Sequence, residues 1–195
     1  SPETLVNVQN GNVSARVLAG SAARGDDRIS DGRAAAMLAG SPKDQQEHAL
    51  ALASVMDALQ PLSSELFAAS TPFTLQLPNL WHLATDIEAQ LTERSSALDL
   101  IAVLHPTAAV AGTPTPAAIR IIDELEVFDR GRYAGPVGWV DANGNGEWAV
   151  ALRCAQVDGT HIAAYAGAGI VAGSDAKREL AETELKFRPI IEAFS

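Results

Sequence analysis

Apolar and polar positions alternate with a period of two near both ends of the chain and recur at helical spacing between them. Val6 and Val8, then Val13, Ala15 and Val17, flank Asn10-Gly11-Asn12, and alternation about an Asn-Gly pair predicts a β-hairpin. The hairpin leads into Leu18-Ala19-Gly20-Ser21-Ala22, a run of small residues that lets backbone approach a ligand closely. Residues 26–40 are polar and then alanine-rich, which predicts a surface connection with a short helix over 33–38 and a mobile joint near Arg33. Ser41 and Pro42 stand as N-cap and first residue of a firm helix that carries Leu52, Val55, Met56 and Leu59 and stops before Pro61. A strand is predicted over 73–77, a core helix over 96–104, a breaker-rich loop over 105–114 and a further helix over 116–125.

From Tyr133 onward the pattern predicts a meander with strands over 135–140, 147–157 and 161–167. In its middle strand Trp148, Val150, Leu152 and Cys154 point one way, and Ala149, Ala151, Arg153 and Ala155 the other. An arginine among alanines has a recess around it, which suits a bidentate grip on a carboxylate or an ion pair with a neighbouring Glu. The last strand ends in the glycine-rich turn Ala166-Gly167-Ala168-Gly169-Ile170-Val171, followed by a helix capped by Ser174 or Asp175. On that helix Glu179, Glu182 and Lys186 share one face, and Leu180, Phe187 and Ile191 form an adjacent stripe expected to face the core. Taken alone, the acidic face reads as solvated, its Glu182–Lys186 pair being worth about 0.2–0.5 kcal/mol.

Composition narrows the possibilities. A chain of 195 residues, 47% of them hydrophobic, is long enough for one substantial core or two small ones, and the absence of repeats or low-complexity segments favours one folding unit. The net charge of −10 argues against nucleic acid and anionic membranes as partners. No apolar run reaches membrane-spanning length, and the single cysteine, Cys154, rules out an internal disulfide; a cytoplasmic location is expected. Two apparent motifs fail on context. Gly167-Ala168-Gly169-Ile170-Val171-Ala172 imitates a dinucleotide fingerprint, but the helix starts too late and no further parallel strand follows. Asp141-Ala142-Asn143-Gly144-Asn145-Gly146 imitates a calcium loop, but Leu152 stands where a bidentate Glu is needed, so a hairpin turn is predicted.

The wording of several segments together resembles the chorismate-utilising enzymes, which include isochorismate, anthranilate, aminodeoxychorismate and salicylate synthases. The segments are Ser1-Pro2-Glu3, Ala19-Gly20-Ser21, Lys43-Asp44-Gln45-Gln46-Glu47-His48, Leu80-Trp81-His82-Leu83, Ala166 to Val171, and Glu182-Thr183-Glu184-Leu185-Lys186. Resemblance implies an α+β fold of antiparallel sheets with surrounding helices, of which residues 1–195 would form the C-terminal portion of one catalytic domain. It implies chorismate as ligand and Mg2+ as cofactor. Glu3 would act as general acid at the ring hydroxyl, and Glu47 and Glu182, with Glu179 close by, would hold the metal. Gly20, Ser21 and His82 would lie against substrate. Tyr133, Arg153 and the Gly167 backbone N–H would hold the enolpyruvyl carboxylate, and Lys186 would temper the acidic cluster or reach substrate through water.

Ala109 follows the His105-Pro106 pair, where family members that eliminate pyruvate usually have Thr. The resemblance is therefore nearest to isochorismate synthases, which move the hydroxyl without losing pyruvate, in menaquinone or siderophore precursor synthesis. A salicylate- or anthranilate-type lyase is the alternative within the family, and a non-catalytic chorismate-binding piece the alternative outside it. The family's general base, a lysine, belongs to an N-terminal half that these residues do not include. That half is expected as the partner that completes the enzyme, and these residues alone are expected to be inactive.

Overall fold

The computed structural model describes residues 3–92 and 95–194, so Ser1 and Pro2 of the first motif lie outside the described residues. Strands β1 (Glu3–Gln9) and β2 (Asn12–Ala23) form the opening hairpin. Its turn needs left-handed backbone at both central positions, and Asn10 (φ 52°) and Gly11 (φ 79°) supply it. Helices α1 (Arg28–Ala39) and α2 (Pro42–Leu59) follow, then β3 (Ser63–Ala68), β4 (Phe73–Gln76) and β5 (Leu80–Leu91). Three helices, α3 (Ala97–Leu104), α4 (Ala108–Ala111) and α5 (Thr115–Leu125), precede β6 (Pro136–Val140) and β7 (Gly146–Val150). The hairpin β8 (Cys154–Asp158) and β9 (His161–Tyr165) leads to the last helix, α6 (Ala176–Ala193).

The fold is α+β. Six strands run antiparallel in the order β3-β5-β2-β1-β7-β6, and β4 pairs with the N-terminal half of β5 to complete a seven-stranded sheet. Strands β8 and β9 form a separate two-stranded sheet. One face of the large sheet presents Val6, Val8, Val13, Val17 and Ile87 to Val55 and Leu59 of α2 and to Leu100 and Ile101 of α3. Among the described residues no single helix is long and apolar enough to cross a membrane. Leu100 is fully buried in this core, so Leu100→Ala is expected to cost about 2–5 kcal/mol of stability, measured by denaturant unfolding.

Four features depart from the sequence reading, each for a local reason. Helix α1 begins at Arg28 rather than Arg33, because the Asp27 carboxylate accepts from the Ile29 and Ser30 amides and Ser30 completes a capping box. Strand β5 escapes a period-two search because residues 82–85, with His82 and Thr85 among them, are all buried. The strand predicted over 147–157 is two strands, broken where Arg153 takes a left-handed φ of 48°; the arginine therefore lies in a kink rather than among alanines on a sheet. On α6 two residues of the expected core stripe are turned outward, Leu180 61% and Ile191 62% exposed, and Phe187 is half-buried, while Ile190 and Glu179 are buried. The calcium-like loop is a hairpin turn: Asp141 accepts from the backbone N–H groups of Asn143 and Asn145 at 2.8 and 2.9 Å.

Candidate active site

The site is organised by an irregularity in β2. Its pairing with β5 shifts register between Leu18 and Ser21, and Gly20 within the bulge has φ 83°, a conformation that favours glycine. The Gly20 carbonyl oxygen lies 3.3 Å from His82 Nδ1, and Ser21 Oγ lies 3.2 Å from the same nitrogen. On the other side of the ring, Arg153 Nη2 is 3.3 Å from His82 Nε2. A guanidinium can only donate, so Nε2 accepts and Nδ1 carries the proton toward Gly20. Burial and the Arg153 charge push the His82 pKa down to about 4, consistent with this neutral form.

Arg153 Nη2 also donates to Glu3 Oε1 at 3.2 Å, with only 8% of the arginine side chain exposed. Burial raises the Glu3 pKa above the usual carboxylate range, against the opposing charges of Arg153 and Lys186. The kink at Arg153 thus links the start of β1 to the start of β5, two segments whose juxtaposition no local pattern reports.

Helices α2 and α6 form the opposing wall. Burial, then the charge of Glu182, raises the Glu47 pKa, so the two carboxylates share a poorly solvated space. Lys186 spans from α6 to the glycine-rich loop, its Nζ 2.7 Å from Glu182 Oε1 and 3.1 Å from the Gly167 carbonyl oxygen. Gly169 is packed so closely that a Cβ there would stand 2.9 Å from Glu47 Oε1. One turn earlier on both helices, Lys43 Nζ meets Glu179 Oε1 at 2.7 Å. Glu179 therefore faces an adjoining cavity, which Glu182 and Lys186 also line, and not the one that Glu47 lines.

Tyr133 stacks on Tyr165 with ring centroids 5.4 Å apart, and a Cβ at Gly167 would lie 2.8 Å from Tyr133 Oη. Arg130, singled out by no motif, sits 5.6 Å from the Tyr133 ring centroid and forms a forked pair with Glu126 at 2.8 and 2.6 Å. Its guanidinium also donates to the Val110 carbonyl at 3.3 Å, beside Ala109. The i,i+4 spacing of Glu126 and Arg130 was the available signal, but spacing alone does not distinguish a cavity wall from a solvated pair.

Most of these groups surround one cavity of about 160 Å³. Glu3, Gly20, Ser21, Glu47 and His82 line it from the first half of the chain. Ala109, Tyr133, Arg153, Gly167, Glu182 and Lys186 line it from the second. Glu179 alone of the candidate residues lies outside, held next door by Lys43.

A profile of the family described as chorismate binding enzyme matches residues 1–195. The chain belongs to that family. It is 44% identical over 194 residues to isochorismate synthase DhbC of Bacillus subtilis, covering 99% of this chain and 49% of that protein. A Bacillus anthracis protein assigned as a 2,3-dihydroxybenzoate-specific isochorismate synthase, DhbC, superposes with a TM-score of 0.95 at 42% identity, over 98% of this chain and 52% of that one. The menaquinone-specific isochorismate synthase MenF of Escherichia coli superposes with a TM-score of 0.85 at 32% identity, over 94% and 42%. The chain spans about half the length of the curated relatives it matches.

In this member of the family the donor set for a cation is smaller than the motifs imply. Among the described residues no group of three or more His, Cys, Asp or Glu side chains is placed to hold a metal ion together. Glu47 and Glu182 remain, both lining the cavity, with the charge of Glu182 felt at Glu47. Two carboxylates facing a polar cavity fit Mg2+, a hard ion that commonly takes one or two protein carboxylates and completes its shell with water and substrate oxygens.

Proposed function

We propose that these residues form the chorismate and Mg2+ site of an isochorismate synthase, completed by a further part of the enzyme. The observation that carries this reading is the convergence of Glu3, Glu47 and Glu182, from distant parts of the chain, on one cavity that also holds Arg153 and Lys186. Chorismate bears two carboxylates and a ring hydroxyl, so its conversion calls for local cations and an acid. The chain's net charge of −10 makes those local cations indispensable.

Glu3, whose pKa burial raises, protonates the departing hydroxyl as general acid. Arg153, oriented by neutral His82, takes the enolpyruvyl carboxylate as a charge-assisted pair, with Tyr133 and the Gly167 N–H beside it. Glu47 and Glu182 would hold Mg2+, which supplies positive charge to the ring carboxylate. Lys186 offsets part of the acidity by pairing with Glu182. Ala109 stands on α4 at the cavity wall, and its resemblance to family members with Ala at this place implies hydroxyl transposition without pyruvate loss.

Water activation needs a base outside this set. Among the described residues the lysine lining the cavity is Lys186, already held by Glu182 and Gly167. The 195-residue chain is therefore expected to bind chorismate without converting it, whereas the full-length enzyme yields isochorismate. Calorimetric titration of chorismate with and without Mg2+, followed by product chromatography, tests both statements. Pyruvate as the main product of the full-length enzyme would favour a lyase, and binding without turnover by that full-length enzyme would favour a non-catalytic role.

A further inference from the structure

His48 follows Glu47 on α2, is 2% exposed, and takes no part in the chemistry described above. Its Nδ1 lies 3.2 Å from the carbonyl oxygen of Ala19, and its Nε2 lies 2.8 Å from Thr85 Oγ1. A carbonyl only accepts, so Nδ1 carries the proton, and the Thr85 hydroxyl donates to Nε2. Burial depresses the basicity of the ring, in keeping with that neutral tautomer. Ala19 and Gly20 are the two residues of the β2 bulge. Their successive carbonyls are each held by a neutral histidine, Ala19 by His48 and Gly20 by His82. The bulge is also pressed onto α2, since a Cβ at Gly20 would stand 3.0 Å from the Asp44 Cβ.

We propose that His48 is a positioning residue: by donating from Nδ1 to the Ala19 carbonyl it fixes the bulge that presents Gly20 and Ser21 to the cavity, and locks the turn of α2 that carries Glu47. The role rests on the reading of Glu47 as a Mg2+ ligand. It is a polar latch that an apolar residue of equal size could not replace, because the Ala19 carbonyl would lose its buried partner.

The two amide isosteres separate the ring nitrogens. Asn places its side-chain N–H near the position of Nδ1 and keeps the bond to Ala19, whereas Gln reaches toward Nε2 and keeps only the contact with Thr85. In the full-length enzyme, H48Q is expected to weaken Mg2+ binding, read by calorimetry, by roughly 10–100-fold, the range for groups that orient metal ligands. H48N is expected to stay within about threefold of the parent on the same scale. Amide hydrogen exchange at Gly20 and Ser21 should accelerate in H48Q and not in H48N. A general structural role would lower both melting temperatures and affect both variants alike. Equal Mg2+ affinities and equal exchange in the two folded variants would overturn the proposal. Should the parent enzyme leave chorismate unconverted, the functional reading fails, while exchange at Gly20 still decides the role of His48.

Discussion

Glu3→Gln in the full-length enzyme is expected to lower kcat by about 10²–10⁴-fold, the usual worth of a positioned general acid, with KM much less affected. The amide keeps the size and can still accept from Arg153, but has no proton to give. The pH dependence makes the assignment specific. A general acid works while protonated, and burial raises the folded-state pKa of Glu3 above that of a free Glu. Activity is therefore full below that raised pKa and declines as pH rises through it, giving a basic limb that Glu3→Gln should abolish. Arg153 acts in the opposite direction by lowering the Glu3 pKa. Arg153→Met should accordingly move the basic limb to higher pH while raising KM, because the carboxylate grip is lost. Rate profiles of the three proteins measure both effects. A basic limb that persists unchanged in Glu3→Gln would remove Glu3 from the acid's role. The same linkage gives stability a slope: the raised pKa means that the contribution of Glu3 to folding is lost as pH rises through it, and the Gln variant should lose that slope.

What could be read from the sequence followed from whether the deciding interaction was local. The Asn10-Gly11 hairpin, the α2 boundaries set by Ser41 and Pro42, and the capped start of α6 depend on neighbours in the chain, and all stand as read. Strand β5 did not, because burial on both faces removes the alternation a strand search relies on. The path of residues 147–157 did not, because a left-handed Arg153 is held by Glu3 and His82, each at least 70 residues away in sequence. For the same reason the site was legible only as a list of motifs. Resemblance gave a role to eleven of the residues that line the cavity, but none to Arg130 as the brace behind Tyr133, nor to Lys43 as the partner that holds Glu179 aside. The outward turn of Leu180 and Ile191 has a comparable origin: α6 meets the body through Lys43–Glu179, Lys186 and the buried Ile190, so its charged face outranks its apolar stripe.

Glu47→Gln and Glu182→Gln are each expected to weaken Mg2+ binding and Mg2+-dependent turnover by more than about 100-fold, since even groups that only orient metal ligands are worth roughly 10–100-fold. Glu47 carries the clearer physical signature, because burial and then the neighbouring Glu182 raise its pKa. A cation held by the pair would offset the charge of Glu182 and favour ionised Glu47, so adding Mg2+ should release protons from Glu47 wherever it is still protonated. Proton release measured in buffers of different ionisation enthalpy reads this directly, and either substitution should reduce it. Glu179→Gln is the informative contrast. With its carboxylate 2.7 Å from Lys43 and facing the adjoining cavity, Glu179 acts as an outer partner, and its loss should cost about 10-fold rather than 100-fold. Lys43→Met, which leaves Glu179 buried without its ion-pair partner, should be at least as harmful, because an uncompensated buried charge is strongly unfavourable. If Glu179→Gln abolished Mg2+ binding while Glu182→Gln spared it, the ion would belong to the Lys43 side of α6 and the assignment of the carboxylate pair would be wrong. If neither Glu47 nor Glu182 mattered to Mg2+ affinity, their convergence on the cavity would reflect repulsion tolerated for folding alone, an arrangement that both Gln variants should then stabilise.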